Sequence, residues 1–211
     1  MEKDKWNGNN NKWKMREVSM KEIVIASGNK GKIKEAQEIL KEYKIVSIEE
    51  IGVNVDVKED QKTFEGNAIK KAETIANMIG GKLSLADDSG IEIEFLDRFP
   101  GVYTKRWHNG TDRERNLALI EKLKGVPREK RKIVFTTAIA LSDGEKTICE
   151  TGKIEGYVTE KPRGENGFGF DEIFELENGK TLAEISSEEK NKISARKIAL
   201  EKISNKLEKM D

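Results

Sequence analysis

The chain has 211 residues, of which 37% are charged and 36% hydrophobic, and its 39 basic residues balance its 39 acidic residues. This composition indicates a folded domain with a highly charged surface, because disordered chains combine few apolar residues with a large net charge. The zero net charge argues against a basic nucleic-acid-binding module and against an acidic tail protein. The single cysteine excludes an internal disulfide, and the single histidine leaves a histidine-based triad or metal centre without partners.

Residues 1–20 include three consecutive asparagines and are expected to form a flexible N-terminal extension, followed by a single domain over residues 21–211. The extension has acidic residues and no apolar segment, which is not typical of a secretory signal. No apolar run approaches the roughly 18 residues of a membrane span. We therefore expect a cytoplasmic protein with no membrane partner, in which Cys149 is a half-buried structural thiol and His108 a surface loop residue.

The spacing of apolar residues predicts strands and helices that alternate through the first half of the chain. Strands are predicted over residues 22–26, 45–48, 51–57, 83–86 and 91–95, with a turn at residues 87–90. One helix is predicted from Lys30, capped by Ser27 or Asn29. A second is predicted from Thr63 to the glycine pair at residues 80–81.

The second half of the chain adds a hairpin to this pattern. A helix is predicted over residues 111–123, then a basic loop at residues 125–132, then strands over residues 132–141 and 146–158 joined by a turn. Residues 162–172 form a glycine-rich loop. A capping box at residues 186–189 predicts one final helix that reaches at least Leu207. Early alternation followed by a hairpin predicts an α/β fold with a mixed sheet.

The first candidate site lies at residues 27–32 (Ser-Gly-Asn-Lys-Gly-Lys), between the first strand and the first helix. Glycines let the backbone approach an anion, and the helix start offers free amides and the positive end of the helix dipole. Lys30, Lys32 and Lys34 add positive charge. The segment predicts a phosphate cradle, although it matches neither the P-loop nor the dinucleotide-binding spacing. A plain helix start with solvated lysines is the alternative.

The second candidate site is acidic, because residues 83–97 carry five acids and no base. Adjacent Asp87 and Asp88 at a strand end would repel each other unless a cation offsets the repulsion. Mg²⁺ needs only one or two carboxylates when phosphate oxygens and water complete its shell. Asp88 and Glu59 could therefore supply a partial magnesium site, and an acidic surface turn is the alternative.

The third candidate site is the glycine-rich loop, in which Phe168 stands between two glycines. A nucleobase stacked on an aromatic ring gains about 1–3 kcal/mol, and such a loop can present one ring face to a ligand. Hydrophobic packing of the turn is the alternative for Phe168. Phe95, Phe99 and Phe170 could simply be core residues.

Six short motifs follow one another along the chain, at residues 27–32, 63–68 (Thr-Phe-Glu-Gly-Asn-Ala), 86–90 (Ala-Asp-Asp-Ser-Gly), 99–103 (Phe-Pro-Gly-Val-Tyr), 167–171 (Gly-Phe-Gly-Phe-Asp) and 188–194 (Glu-Glu-Lys-Asn-Lys-Ile-Ser). In this order the chain resembles the inosine triphosphate pyrophosphatase family, whose members hydrolyse nonstandard purine nucleoside triphosphates. The resemblance implies an elongated mixed β-sheet flanked by helices, two lobes with a central cleft, and a homodimer. It also implies that residues 21–211 are a Mg²⁺-dependent catalytic domain that converts dITP, ITP and XTP to the monophosphate and pyrophosphate.

The resemblance further implies roles for individual residues. Asp88 would be the general base and would hold Mg²⁺ with Glu59, while Lys32 would neutralise charge during attack on phosphorus. Phe168 would stack on the base and Asp171 would hydrogen-bond it. The full set of implied substrate contacts is Ser27, Gly28, Asn29, Lys30, Gly31, Lys32, Ser89, Phe168, Gly169, Phe170, Asp171, Lys190, Ala195 and Arg196.

One position departs from the family pattern. Ala195 stands where the family has a histidine that contributes to base recognition, and an alanine side chain cannot hydrogen-bond. This predicts weaker or altered base selectivity. Lys190 and Arg196 are also too far out of phase to share one face of a regular helix, so either Lys190 precedes that helix or one of the two assignments is wrong.

Three other functions are compatible with parts of the sequence: a pyrophosphatase for modified pyrimidine nucleotides, a non-catalytic nucleotide sensor, and an RNA-binding module using the basic residues 124–132. The basic run lacks interleaved aromatic residues, which favours a solvated loop, so we expect small nucleotides and not nucleic acid as partners. If a triphosphate binds, the basic stretch at residues 30–34 and the acidic stretch at residues 83–97 should meet in one cleft.

Overall fold

A computed structural model describes residues 20–207 of the chain, and residues 1–19 of the predicted extension lie outside this range. The strands are β1 (Lys21–Ile25), β2 (Tyr43–Ser47), β3 (Ser84–Ile93), β4 (Phe99–Pro100), β5 (Lys132–Ser142), β6 (Thr147–Val158) and β7 (Phe174–Glu175). The helices are α1 (Lys30–Ile39), α2 (Phe64–Met78), α3 (Asp112–Lys122), α4 (Ser187–Lys192) and α5 (Ala195–Leu207). The strands form one mixed sheet in the order β2-β1-β3-β5-β6-β7, with β4 beside β3, which confirms the predicted α/β fold.

The centre of the sheet is built from three long antiparallel strands. β3 pairs with β5 from Ser84 opposite Ser142 to Ile93 opposite Ile133. β5 and β6 form the predicted hairpin, in which Ser142 faces Thr147 beside the turn. β1 lies parallel to both β2 and β3, as expected where a helix connects neighbouring strands.

Alternation along β3 decides which helices lie over which residues. Leu85 packs with Ile23 and Leu200 in an apolar cluster beneath α1 and α5. The next residue, Ala86, packs with Ala68 in a cluster beneath α2 on the other face. Since successive side chains of a strand point to opposite faces, the residues that continue β3 alternate between these two helical layers.

One predicted turn and one predicted strand are wrong. Residues 87–90 do not form a turn but lie inside β3, which runs unbroken from Ser84 to Ile93. Residues 51–57 form no strand, although Val53, Val55 and Val57 alternate towards an apolar cluster as the pattern indicates. Alternation reports which side chains are buried, but a strand also requires a neighbouring backbone.

The predicted final helix is two helices. The capping box opens α4, where Ser186 accepts a hydrogen bond from the amide of Glu189. The helix then ends, and Ser194 Oγ accepts a hydrogen bond from Lys197 N at 3.3 Å at the start of α5. Lys190 therefore precedes the helix that carries Arg196, which is one of the two solutions that the sequence left open.

Cys149 is half-buried, and burial raises the pKa of its thiol to about 11, which fits a structural residue. His108 lies in a loop as predicted and is half-buried, with its ring centroid 5.2 Å from that of Trp107. Within residues 20–207, the helices are too short or too polar to cross a membrane.

Candidate active site

A cleft of about 1270 Å³ opens beside α1, the glycine-rich loop and the start of α5. Ser27, Gly28 and Lys30 belong to the adjoining strand–helix junction but are not in the cleft wall, and Glu59 and Asp88 also lie outside it. The predicted site residues that line the cleft are Asn29, Gly31, Lys32, Ser89, Phe168, Gly169, Phe170, Asp171, Lys190, Ala195 and Arg196. The fold thus brings four separate parts of the sequence to one cavity, at residues 29–32, Ser89, residues 168–171 and residues 190–196.

The predicted phosphate cradle is a capped helix start. Asn29 Oδ1 accepts hydrogen bonds from the amides of Gly31 at 2.9 Å and Lys32 at 3.2 Å. Ser27 Oγ accepts a hydrogen bond from the amide of Asn29 at 3.2 Å. The expectation that these helix amides are free is therefore wrong for two of them. The junction offers an anion the positive end of the α1 dipole and lysine side chains.

Below this junction lies a group of ion pairs that we name the Asp87 cluster (Lys32, Glu35, Asp87 and Arg196). Lys32 Nζ lies 2.9 Å from Asp87 Oδ1, and an Arg196 terminal nitrogen lies 3.2 Å from Asp87 Oδ2. The same guanidinium lies 3.5 Å from Glu35 Oε2. Burial alone would raise the pKa of Asp87, but Lys32 and Arg196 outweigh it and hold this pKa well below the usual range.

The basic and acidic stretches of the sequence therefore do meet, at the contact between Lys32 and Asp87. Burial lowers the pKa of Lys32, and the charge of Asp87 offsets only part of that effect. Lys30 is exposed, and Lys34 pairs instead with Glu38 on the surface of α1. One lysine of the basic stretch, and not all three, reaches the acidic strand.

One edge of β3 is open beside this cluster. β1 pairs with β3 as far as Leu85, and β4 begins to pair at Glu92, so residues 86–91 have no strand on that side among the described residues. We name this stretch the sheet gap. Side chains bond part of its backbone: Lys71 Nζ donates to Asp87 O at 2.5 Å, Asp88 Oδ1 accepts from Ser89 N at 3.0 Å, and Thr104 Oγ1 accepts from Ile91 N at 3.0 Å.

Glu59 and Asp88 meet on the α2 face of the sheet, through Lys71. The Lys71 ammonium lies 2.9 Å from Glu59 Oε1 and 4.0 Å from Asp88 Oδ1. Asn67 Nδ2 donates to Asp88 Oδ2 at 2.8 Å, and an Arg106 nitrogen lies 3.2 Å from Glu59 Oε2. Burial opposes the effect of Lys71 and Arg106, yet these cations keep the pKa of Glu59 below its ordinary value.

Asp88 has the opposite electrostatic balance. Burial raises the pKa of Asp88, and the nearby Glu59 carboxylate adds to that rise, while Asn67 and Lys71 counteract it. A carboxyl group with a raised pKa is better suited to accept a proton than an ordinary surface aspartate. Asp87, one residue earlier, is held in the charged form by its two cations.

The two carboxylates fit a magnesium ion only as part of a larger shell. The Lys71 ammonium already forms ion pairs with both, at 2.9 Å from a Glu59 oxygen and 4.0 Å from an Asp88 oxygen, so the position suits a positive charge. Within residues 20–207, however, no three metal-ligating side chains come together. This donor set matches Mg²⁺, which takes one or two carboxylates and fills its remaining positions with phosphate oxygens and water.

Lys71 and Arg106 were not predicted from the sequence as site residues. Asn67 was included only as part of the motif at residues 63–68, without a role. Asn67 and Lys71 are four residues apart on α2 and therefore share one helix face, a spacing that could have been used. Asn67 is buried, and its Oδ1 also accepts a hydrogen bond from Gln61 N at 3.0 Å. This amide thus joins the loop that carries Glu59 to the carboxylate of Asp88.

Phe168 projects from the glycine-rich loop with 78% of its surface exposed. Gly167 and Gly169 on either side have φ angles of +80° and +65°, which residues with a β-carbon rarely adopt. Asp171 is buried, and its Oδ2 accepts hydrogen bonds from Phe168 N, at 2.8 Å, and from Lys190 Nζ. The Lys190 ammonium also lies 4.7 Å from the centre of the Phe168 ring. Phe168 is therefore a ring held in solvent by a structured loop.

Ala195 is almost completely buried at the start of α5, although it borders the cleft. The helix lies directly on β6 here, because a β-carbon added to Gly152 would stand 1.9 Å from Ala195 O. This close approach requires a glycine at position 152 and fixes where α5 begins. The adjoining Arg196 Nε is buried and has no hydrogen-bond partner within residues 20–207.

In the basic run at residues 124–132, the two arginines are bonded to the fold and the three lysines are exposed. Arg131 is buried and donates to the carbonyl oxygens of Val158, at 2.7 Å, and Thr159, at 2.5 Å. Arg128 lies 2.7 Å from Glu175 Oε1. Its guanidinium also stacks over the Tyr157 ring. These contacts give both arginines a structural explanation.

The sequence profile of the Ham1 family matches residues 23–206. The chain is 45% identical over 197 residues to a dITP/XTP pyrophosphatase of Bacillus subtilis, covering 90% of this chain and 99% of that protein. A Clostridium perfringens protein with the same name is 43% identical and is covered over 98% of its length. The structure of the Staphylococcus aureus Ham1 protein superposes with a TM-score of 0.84 at 37% identity, covering 90% of this chain and all of that one. By sequence and by fold, the chain belongs to the Ham1 family.

Proposed function

We propose that this chain is a Mg²⁺-dependent nucleoside triphosphate pyrophosphohydrolase that converts dITP, ITP and XTP to the monophosphate and pyrophosphate. The observation that carries the proposal is the cleft, which has an exposed aromatic ring at one part of its wall and the Lys32 end of α1 at another. The carboxylates of Glu59 and Asp88 lie beside the neighbouring sheet gap, on the α2 face of the sheet. The names of the relatives, dITP/XTP pyrophosphatase, support the same substrate class.

In the proposed complex, the base stacks on Phe168, while Lys190, Arg196 and Asp171 contact it or the adjoining phosphate. The triphosphate runs from residues 27–32 and Lys32 towards Ser89 and the sheet gap. This course is supported by the gap itself, because an open strand edge lets one ligand reach side chains from both faces of the sheet. Lys32 then offsets the negative charge that develops as the bond between the α- and β-phosphates breaks.

Glu59 and Asp88 are the proposed ligands of Mg²⁺, which would neutralise phosphate charge and help to orient the attacking water. Asp88 is also the proposed group that accepts a proton from that water. The buried Asn67 amide supports this role, because its hydrogen bond keeps the Asp88 carboxylate in one orientation. Neither Cys149 nor His108 takes part in the proposed reaction.

A second candidate is hydrolysis of other modified nucleotides with altered base selectivity. The observation that favours it is Ala195, whose buried methyl group cannot hydrogen-bond to a base at the start of α5.

We also propose that the enzyme acts in the cytoplasm as a homodimer, which light scattering at several concentrations would test. The exposed apolar side chains Phe95, Tyr103 and Leu117 are candidates for a surface that the second copy would cover.

The test is release of pyrophosphate from dITP, ITP, XTP, dATP and dTTP, with and without Mg²⁺. We expect the oxopurine triphosphates to be hydrolysed only with the metal, and Asp88→Asn to lower kcat at least about 100-fold without changing the circular dichroism spectrum. Glu94→Gln is the matched control, because Glu94 is an exposed acid just beyond the same strand. Tight dITP binding without turnover would instead indicate a nucleotide sensor.

A further inference from the structure

Asn116 is a buried polar residue that the proposed reaction does not use. It lies in the middle of α3 and has no exposed surface. Asparagine is a poor helix former, so its presence within a helix calls for a local reason. Its Nδ2 donates to Gly169 O at 2.8 Å and to Glu172 Oε1 at 2.8 Å. Both contacts are to the glycine-rich loop and not to the helix or the apolar core.

A second residue of α3 holds the other side of the same glycine. Asp112 Oδ2 accepts a hydrogen bond from Gly169 N at 3.1 Å. Both backbone polar groups of Gly169 are therefore bonded to α3 side chains, in a residue whose φ of +65° is open mainly to glycine. One turn of α3 separates the two contacts, which matches residues four apart on a helix face.

These contacts lie immediately beside Phe168. On one side of this residue, Asp171 bonds the Phe168 amide and the α4 residue Lys190. On the other side, Gly169 is bonded to α3. The ring itself is 78% exposed, so packing does little to orient it. Its direction depends on the backbone hydrogen bonds of its neighbours.

The remaining polar atom of Asn116 supports the same interpretation. Its Oδ1 is buried and accepts no hydrogen bond from the residues that the structure describes. A leucine or alanine would avoid this uncompensated acceptor, so stability alone does not explain asparagine here. What the asparagine supplies is a pair of N–H groups aimed at the glycine-rich loop.

We propose that Asp112 and Asn116 are positioning residues for base recognition, because they fix Gly169 and thereby hold the Phe168 ring ready for a nucleobase. This inference rests on the proposed function in one respect, the stacking of the base on Phe168. A preorganised loop loses less conformational entropy on binding than a loose one. Loss of these contacts should therefore weaken binding of ligands that carry a base and leave base-free phosphate ligands unaffected.

The experiment compares two equilibrium affinities, for inosine monophosphate and for inorganic pyrophosphate, by calorimetry. For Asp112→Ala we expect the Kd for inosine monophosphate to rise about fivefold, the equivalent of one ordinary hydrogen bond, with the Kd for pyrophosphate unchanged. In turnover of dITP, KM should rise by a similar factor while kcat changes by less than about twofold. Asp112→Asn keeps an oxygen that can face Gly169 N and should restore nucleotide affinity.

Asn116→Ala should also raise the Kd for inosine monophosphate. Thermal melting would show whether the protein with this substitution still folds. Glu121→Ala is the control on α3, because Glu121 is exposed and pairs only with Lys124 among its ionic contacts in the described chain. Equal weakening of pyrophosphate and nucleotide, or unchanged nucleotide affinity in Asp112→Ala, would overturn the inference. If the unsubstituted chain binds the nucleotide but hydrolyses no triphosphate, and Asp112→Ala still weakens nucleotide binding, the proposed function alone would be refuted.

Discussion

Replacing Asp87 with asparagine tests whether the Asp87 cluster holds α1, β3 and α5 together. The substitution keeps the shape of the side chain and removes the charge that lies between Lys32 and Arg196. Removing one partner of a buried ion pair costs about 3–5 kcal/mol, because the other charge stays buried without compensation. The Lys32 and Arg196 side chains keep 21% and 20% exposure and are partly hydrated. We therefore expect a loss of about 2–4 kcal/mol in the free energy of unfolding at pH 7.

The pH dependence of this loss follows from the lowered pKa of Asp87. Because its folded-state pKa lies below the unfolded value of about 3.9, the stabilisation is complete above that pH and declines as the pH falls towards the folded value. The decline should approach 1.4 kcal/mol per pH unit. The stability difference between the original chain and Asp87→Asn should therefore be constant from pH 5 to 7 and shrink below about pH 4.

The assay is urea unfolding monitored by tryptophan fluorescence and circular dichroism at pH 7, 5 and 3. Glu38→Gln is the control, because its pair with Lys34 is exposed and should contribute less than about 0.5 kcal/mol. A loss below about 1 kcal/mol for Asp87→Asn at pH 7 would show that the cluster does not stabilise the fold as argued. A difference that stays the same down to pH 3 would show that the charge of Asp87 is not its source.

Three further predictions concern single positions. Ala195→His should raise the ratio of kcat/KM for dITP over dATP, and an unchanged ratio would remove this position from base selection. Gly152→Ala places a methyl group 1.9 Å from Ala195 O, a backbone atom, so it should lower the free energy of unfolding by about 1–3 kcal/mol in urea titrations. A fully stable Gly152→Ala chain would show that α5 can shift. The Cys149 thiol, with its pKa raised to about 11, should react with Ellman's reagent far more slowly at pH 8 in the folded chain than in urea, and equal rates would contradict its burial.

Much of the fold could be predicted because local patterns and caps agree with the tertiary structure. Thr63 and Thr111 cap the helices that begin after them, and the hairpin between β5 and β6 lies where its turn residues indicate. The predictions failed where a local pattern gives a helix or strand only if a further partner or cap is also present. Residues 51–57 alternate correctly but lack a strand partner, and the break between α4 and α5 follows a second serine cap that apolar spacing does not reveal.

Most of the predicted site residues line one cleft, but the sequence did not predict how they are arranged there. Asp87 and Asp88 were predicted in a turn, where neighbouring carboxylates can share one cation. In a continuous strand they point to opposite faces, so Asp87 meets α1 and α5 while Asp88 meets α2. Gly90 permits this continuity, because a β-carbon there would lie 2.3 Å from Thr104 Oγ1, a contact between residues distant in sequence.

The residues that sequence reasoning left out of the site act through other residues of the site. Asn67 orients a carboxylate, Lys71 bonds a backbone carbonyl and two acids, and Asn116 holds a glycine. Their partners lie far away along the chain, and a single sequence does not show which distant residues are in contact. Asn67 and Asn116 share one signal, a buried asparagine in a helix, because its polar atoms must find partners once water is excluded.

The sheet gap also bears on how the protein avoids edge-to-edge strand pairing with another chain. Unpaired strand edges are templates for addition of a further strand, and soluble proteins guard them with charges or coverings. Along residues 86–91 the guard consists of the Lys71 ammonium, the Asp88 carboxylate and the Thr104 hydroxyl, each bonded to the edge. A strand from another chain would have to displace the desolvated charges of Lys71 and Asp88. A small anion with its cation would instead form ion pairs with these charges. The opening proposed to admit the triphosphate is in this way closed to intermolecular β-pairing.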